Sequence, residues 1–194
     1  ANLKGARDDG KVVTRAFALW REPEGLAAAL RELLAALEPF DRLAVTMTGE
    51  LCDCYSSKEE GVLHILAAVE EATATPPQFW LLDEGLCDLE KARAEPLQAA
   101  AANWQALSTW AAGLEGNEDS LLIDIGSTTT DIIRLEGGKP RAAGRTDPER
   151  LQLGELVYTG VRRTPVCALL EEADLKGQAC PLAAEHFATT LDAW

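Results

Sequence analysis

Leu26, Leu30, Leu33, Leu34 and Leu37 recur at intervals of three and four, with Arg31, Glu32 and Glu38 between them. That spacing predicts a helix over residues 24–38 that buries one face and stops before Pro39. Leu43-Ala44-Val45-Thr46-Met47-Thr48, closed by Gly49, has the pattern of a short buried strand. From Lys58 to Ala74 the helical period returns through Val62, Ile65, Leu66 and Val69, until Pro76-Pro77 stops it. Phe79-Trp80-Leu81-Leu82 is the next strand. An Ala-rich helix with Trp104 and Trp110 is expected from about Leu97 to Leu114, before the polar break at 115–119. Helices alternating with short apolar strands indicate an α/β sheet with helical layers. Beyond the break the pattern changes. Ser120–Ile125 and Thr130–Leu135 are strands separated by a few small residues, and Gly137-Gly138-Lys139-Pro140 turns the chain again, which gives a hairpin meander. A domain boundary is placed near Gly116, dividing residues 1–116 from 117–194.

Composition narrows the class of function. The 194 residues are 47% hydrophobic and 26% charged, enough to bury a core without disulfides or metal. Eighteen Lys and Arg against 32 Asp and Glu give a net charge of −14, and no basic run exceeds Arg162-Arg163. Nucleic acid is therefore an unsuited partner. No apolar run reaches the roughly 18 residues of a membrane span, and the first residues lack a signal-peptide core, so a cytoplasmic protein with no membrane partner is expected. Five cysteines at 52, 54, 87, 167 and 180 are an odd number, for which reduced thiols are the default; Cys52-Asp53-Cys54 is too tight for the usual zinc spacings.

The segment richest in chemistry is Asp124-Ile125-Gly126-Ser127-Thr128-Thr129-Thr130-Asp131. A strand delivers one carboxylate, a turn of Gly and hydroxyl residues follows, and a second strand opens with another carboxylate. Gly126 permits close backbone approach, and successive N–H groups of the turn can form a nest for phosphate oxygens. Bare Asp124 and Asp131 would repel a phosphate, so Mg²⁺ bridging carboxylate and phosphate is expected. The alternative is a solvated hairpin turn. Arg162-Arg163-Thr164 suits bidentate binding of phosphate oxygens, or is a solvated basic pair. Glu50 and Asp53 follow a strand directly, where open α/β sheets place ligand sites, which makes them candidates for a general base and a metal ligand; Glu50 could equally cap the next turn. Lys58 reads as a surface charge beside Glu59 and Glu60. His64 and His186 have no catalytic spacing around them and read as structural. Neither GxxxxGK[ST] nor GxGxxG occurs, so phosphate recognition falls to the hairpin loop.

The stretch from Asp124 to Asp131 resembles the second phosphate loop of the superfamily containing actin, sugar kinases and heat-shock chaperones, in the form of its hydantoinase/oxoprolinase branch. Val45–Leu51 with Asp53-Cys54, Lys58–Val62, Tyr158–Val166 and Phe187–Asp192 are similar to the condensing enzymes of methanofuran biosynthesis. The resemblance implies a truncated actin-like fold of two half-domains, an internal fragment of a longer enzyme. It also implies that Ala1-Asn2-Leu3-Lys4 follows a first phosphate loop, which adds Lys4 to the phosphate-binding set of Gly126, Ser127, Thr128, Thr129, Thr130, Arg162, Arg163 and Thr164. The implied activity joins a furan-methyl diphosphate to the phenol of γ-glutamyl-tyramine and releases diphosphate. In it Asp124, Asp131 and Asp53 would hold Mg²⁺, and Asp124 and Glu50 would be catalytic. An ATP-dependent kinase, an oxoprolinase-like hydrolase and a noncatalytic binding module are the alternatives; the oligomeric state is not legible.

Overall fold

The computed structural model describes residues 2–115, 118–184 and 189–193. The chain divides into two compact units, 1–107 and 108–194. The division falls inside a helix, whereas the composition break at Gly116 lies outside the described residues. Among the described residues the protein is mixed α/β, with four small sheets.

The first unit opens with a hairpin of β1 (Asn2–Ala6) and β2 (Val12–Ala16), antiparallel and closed by a turn with Gly10 at φ 88°. Asp-Asp-Gly is a sufficient turn signal for it, although the pattern reading passed over this hairpin. A 3₁₀ turn leads into α1 (Leu26–Ala35), which buries Leu26, Leu33 and Leu34 as its leucine spacing requires. β3 (Leu43–Val45) follows, then α2 (Lys58–Ala72), then β4 (Pro77–Leu81), parallel to β3. This is a β-α-β unit, with Ser57 capping α2 through the N–H of Glu60. Pro77 sits at the first position of β4, where the missing N–H is tolerated. β5 (Gly85–Cys87) returns antiparallel beside β4. Leu66, Phe79 and Leu81 are fully enclosed where α2 meets this sheet.

Two expectations are corrected here. β3 pairs only over Leu43–Val45, so the predicted strand to Thr48 is half realised. The continuous helix from Leu97 to Leu114 is broken: after α3 (Leu89–Ala94), α4 (Pro96–Ala99) ends, Ala101 takes φ 47°, and α5 (Asn103–Glu115) restarts. A left-handed Ala costs about 1–2 kcal/mol. In exchange the bend puts Ala99, Ala100 and Ala102 in the core, and the N–H of Leu82 reaches the Gln98 carbonyl at 3.0 Å.

In the second unit β6 (Ser120–Ile125) and β7 (Thr130–Glu136) form the expected hairpin, with Asp124 directly opposite Asp131. β7 carries β8 (Lys139–Pro140) and β9 (Leu156–Val157) on its other edge. Between those two runs α6 (Asp147–Gln152), opened by a complete Thr146/Glu149 capping box. β10 (Glu172–Leu175) and β11 (Gln178–Pro181) make a separate hairpin.

Candidate functional site

The hairpin turn and the Tyr158–Thr164 segment, two motifs far apart in sequence, are bonded together. The turn closes on itself through the Gly126 N–H, which donates to the Thr129 carbonyl at 2.8 Å. The Gly126 carbonyl accepts from Val161 N–H at 3.0 Å, and the Ser127 carbonyl accepts from both Arg162 and Arg163 N–H, at 3.2 and 2.9 Å. Thr130 Oγ1 donates to the Thr159 carbonyl at 2.6 Å. Gly160 lies against the turn so closely that a Cβ there would stand 2.5 Å from the Ser127 carbonyl carbon and the Thr128 nitrogen. Only glycine fits that contact.

These bonds sort the proposed phosphate ligands. Thr164 is 2% exposed, and its hydroxyl accepts from Gly160 N–H at 2.7 Å and donates to the Gly160 carbonyl at 3.1 Å. Its hydroxyl is therefore committed to shaping the segment, and Thr190 Oγ1 adds a third bond to Gly160 at 3.0 Å. Thr130 is likewise buried and committed. Among the described residues, by contrast, no hydrogen bond takes the N–H of Ser127, Thr128 or Thr129, and neither the Arg162 nor the Arg163 guanidinium, both exposed, has an ion-pair partner. The turn thus presents three backbone donors, and the segment bonded to it carries two arginines with no ion pair, a combination that suits an anion.

The two carboxylates differ in kind. Asp131 Oδ1 is paired with Arg150 Nη2 at 2.9 Å, and Arg150 is 1% exposed and donates also to the Glu155 carbonyl at 3.1 Å. Burial pushes the Asp131 carboxyl above its usual range, and the Arg150 guanidinium only partly offsets this. Asp124 is half-buried across the strand pair, with no ion pair among the described residues. The sequence reading missed Arg150. Its signal was the Thr146-to-Glu149 capping pattern, which marks a helix start but says nothing of which way the following arginine turns. Gly144 is its counterpart: a Cβ there would meet the Arg150 backbone nitrogen at 2.7 Å.

The remaining candidates belong to the first unit. Glu50 is 1% exposed and interior, with its backbone against Gly61, where a Cβ would come within 2.3 Å of the Glu50 carbonyl oxygen. Asp53 is exposed, Lys4 is exposed on β1 opposite Thr14, and Lys58 is the half-buried first residue of α2. His64 accepts or shares a 2.6 Å hydrogen bond with the Tyr55 hydroxyl, whose phenol is pushed up by burial. All five cysteines are free thiols. His186 and Phe187 lie outside the described residues.

The hydantoinase/oxoprolinase family model matches residues 41–193, a span that takes in both bonded loops. The chain belongs to the hydantoinase/oxoprolinase family. Within it, the chain is similar to a (4-{4-[2-(gamma-L-glutamylamino)ethyl]phenoxymethyl}furan-2-yl)methanamine synthase of Methanocaldococcus jannaschii, 36% identical over 186 residues, covering 95% of this chain and 54% of that protein. A synthase of the same name from Methanococcus vannielii is 42% identical over 76 residues, covering 39% of this chain and 34% of its own length. The chain therefore spans about half the length of the first relative and about a third of the second.

For a hydantoinase/oxoprolinase member, Mg²⁺ at this loop is a fair test of the donor set. Among the described residues no three His, Cys, Asp or Glu side chains gather into an all-protein metal cage. Mg²⁺ does not ask for one, since it is commonly held by one or two carboxylates with phosphate oxygens and water. Asp124 fits that role, and Asp131, held by Arg150, stands directly across from it.

Proposed function

We propose that the protein is a transferase acting on a small-molecule diphosphate, with the hairpin turn and the Arg162-Arg163 segment as the diphosphate site. The observation that carries this reading is the bonding of the two loops, which leaves the Ser127, Thr128 and Thr129 N–H groups uncommitted in a turn whose partner segment carries two arginines with no ion pair among the described residues. The product in the synthases' name, an aryl ether between a γ-glutamylaminoethyl phenol and a furan-methyl group, supports the phenol of γ-glutamyl-tyramine as acceptor and a furan-methyl donor; diphosphate as the donor's leaving group is our reading of the loop. The phenolic oxygen would form a bond to the furan methylene carbon while the carbon–oxygen bond to diphosphate breaks, and the phenol proton would pass to a carboxylate or to solvent. Arg162 and Arg163 would neutralise charge building on the leaving group, as planar forks suited to phosphate oxygens. Bound at Asp124, with Asp131 as a further candidate ligand, Mg²⁺ would supply added stabilisation of the departing diphosphate.

We further propose an actin-like arrangement of two half-domains and a cytoplasmic setting. Among the described residues no helix is long and apolar enough to cross a membrane. Titration of the protein with inorganic diphosphate and Mg²⁺ by calorimetry tests the site. Binding should require Mg²⁺ and weaken at least about tenfold in an Arg162→Ala/Arg163→Ala double variant. Undiminished binding in that variant would remove the assignment, and tighter binding of ATP than of diphosphate would favour a kinase or hydrolase.

A further inference from the structure

Cys52, Cys54 and Tyr55 share the loop between β3 and α2, and none of them has a part in the proposed transfer. Two successive turns wind this loop. Cys52 N–H donates to the Gly49 carbonyl at 3.1 Å, and Tyr55 N–H donates to the Cys52 carbonyl at 3.0 Å. The second turn brackets Asp53 and Cys54. Two peptide steps bent by such a turn leave the Cα atoms of Cys52 and Cys54 about 5–6 Å apart, a span that a disulfide bridges. Both thiols are free, partly buried and packed with Tyr55 on the core of the first unit. They also meet each other. Burial first, and then the adjacent Cys52 thiol, hold the Cys54 thiol above its usual range, while the Tyr55 hydroxyl beside it pulls the other way. From Tyr55 the contacts run on to α2, where the phenol hydroxyl and His64 Nδ1 are 2.6 Å apart. Two thiols, a phenol and an imidazole thus form one chain. Cys54 Sγ donates also to the carbonyl of Leu19, at 3.6 Å, and Leu19 is buried.

We infer that Cys52 and Cys54 form a thiol–disulfide exchange site, with Tyr55 and His64 as its proton relay. The oxidant is a small-molecule disulfide such as oxidised glutathione. Cys52 Sγ attacks it, a mixed disulfide forms on Cys52, and the first small thiol leaves with the Cys52 proton. Cys54 Sγ then attacks the Cys52 sulfur, the bond between the two cysteines forms, and the second small thiolate leaves. The Cys54 proton passes to the Tyr55 hydroxyl as the hydroxyl's own proton passes to unprotonated His64 Nδ1, and the imidazolium returns it to the departing thiolate. One disulfide is thereby exchanged for another, and the protein gives up two electrons and two protons. Contact with Tyr55 makes Cys54 the closing thiol and leaves entry to Cys52. Closure takes Cys54 off the Leu19 carbonyl, which costs a buried acceptor its donor. Oxidation therefore loosens the turn from Ala18 to Glu22, which carries the exposed Trp20. Cys87 makes a contrast. Burial and then the Glu84 carboxylate, 3.9 Å from its sulfur, oppose its thiolate. This exchange does not depend on the transferase reading.

The test incubates the reduced protein with oxidised glutathione, follows the loss of thiols and maps the products by mass. Two of the five thiols should disappear, with the new bond mapped to Cys52 and Cys54. Cys54→Ser should stop at a stable glutathione adduct on Cys52, and Cys52→Ser should form no bond on this loop. Tyr55→Phe and His64→Gln should each slow closure by about tenfold or more, so that the Cys52 adduct accumulates. Amide hydrogen exchange at Arg21 and Glu22, which both donate to the Ala18 carbonyl, should quicken by about tenfold on oxidation and recover on reduction. Five persisting thiols, a bond mapped elsewhere, or an adduct on a cysteine other than Cys52 in Cys54→Ser would overturn the site. Closure as fast in His64→Gln as in the parent would overturn the relay, and equal exchange at Arg21 and Glu22 in both states would overturn the link to their turn.

Discussion

Gly160 shows how one missing side chain joins the two halves of the candidate site. Gly160→Ala would drive a Cβ to 2.5 Å from Ser127 and Thr128 backbone atoms, which cannot yield as a side-chain tip can. We expect a loss of about 1–3 kcal/mol in the stability of the second unit, by denaturant melts, together with loss of diphosphate binding. Gly61 makes a second case in which context reverses a propensity. An alanine at this position, the end of the first turn of α2, would ordinarily gain up to about 1 kcal/mol. Here its Cβ would lie 2.7 Å from the Glu50 Cα, so Gly61→Ala should lower the melting temperature instead. Arg150→Met would leave the Asp131 carboxylate enclosed without its guanidinium, at a cost of about 3–5 kcal/mol. Adding Asp131→Asn to that variant should restore most of the loss, and a double variant no more stable than Arg150→Met alone would contradict the pairing account.

Among the elements, α6 ties stability to pH through its cap. The Glu149 carboxylate accepts from the backbone N–H groups of Arg145 and Thr146, which hold its carboxyl below the usual range. A depressed carboxyl contributes stability above its unfolded pKa and loses it as pH falls through the folded value. Glu149→Gln should therefore melt below the parent near pH ~7, with the gap closing toward pH ~3; a constant gap would argue against ionic capping. The elements also show where sequence is a sufficient guide. The β6–β7 hairpin was legible because two alternating runs flank a turn of small residues, and α1 and α2 because their leucine and valine spacing matches the period they bury. The break at Ala101 was not legible: every residue from Ala99 to Ala102 favours helix, and only core packing forces the turn. The two loops of the site were legible as separate motifs, but their bonding through Gly160, and the Arg150 pair beneath, are tertiary contacts that spacing along the chain does not encode.

At the scale of the molecule, a net charge of −14 opposes any polyanionic substrate, so the local cations and Mg²⁺ must offset a repulsive field. Diphosphate binding should accordingly be lost when Mg²⁺ is chelated. The central claim is that the loop serves a diphosphate leaving group in an ether-forming transfer, with Asp124 as the carboxylate beside it. Replacing Asp124 by asparagine should lower turnover by about 10²- to 10³-fold, the usual scale for removing one such electrostatic contact. The most direct measurement supplies the intact protein with the furan-methyl diphosphate, γ-glutamyl-tyramine and Mg²⁺, without nucleotide, and follows diphosphate and the aryl ether together. The account predicts that both appear in step and that Asp124→Asn slows both; product only when ATP is added, with ADP released, or unchanged turnover in Asp124→Asn, would contradict it.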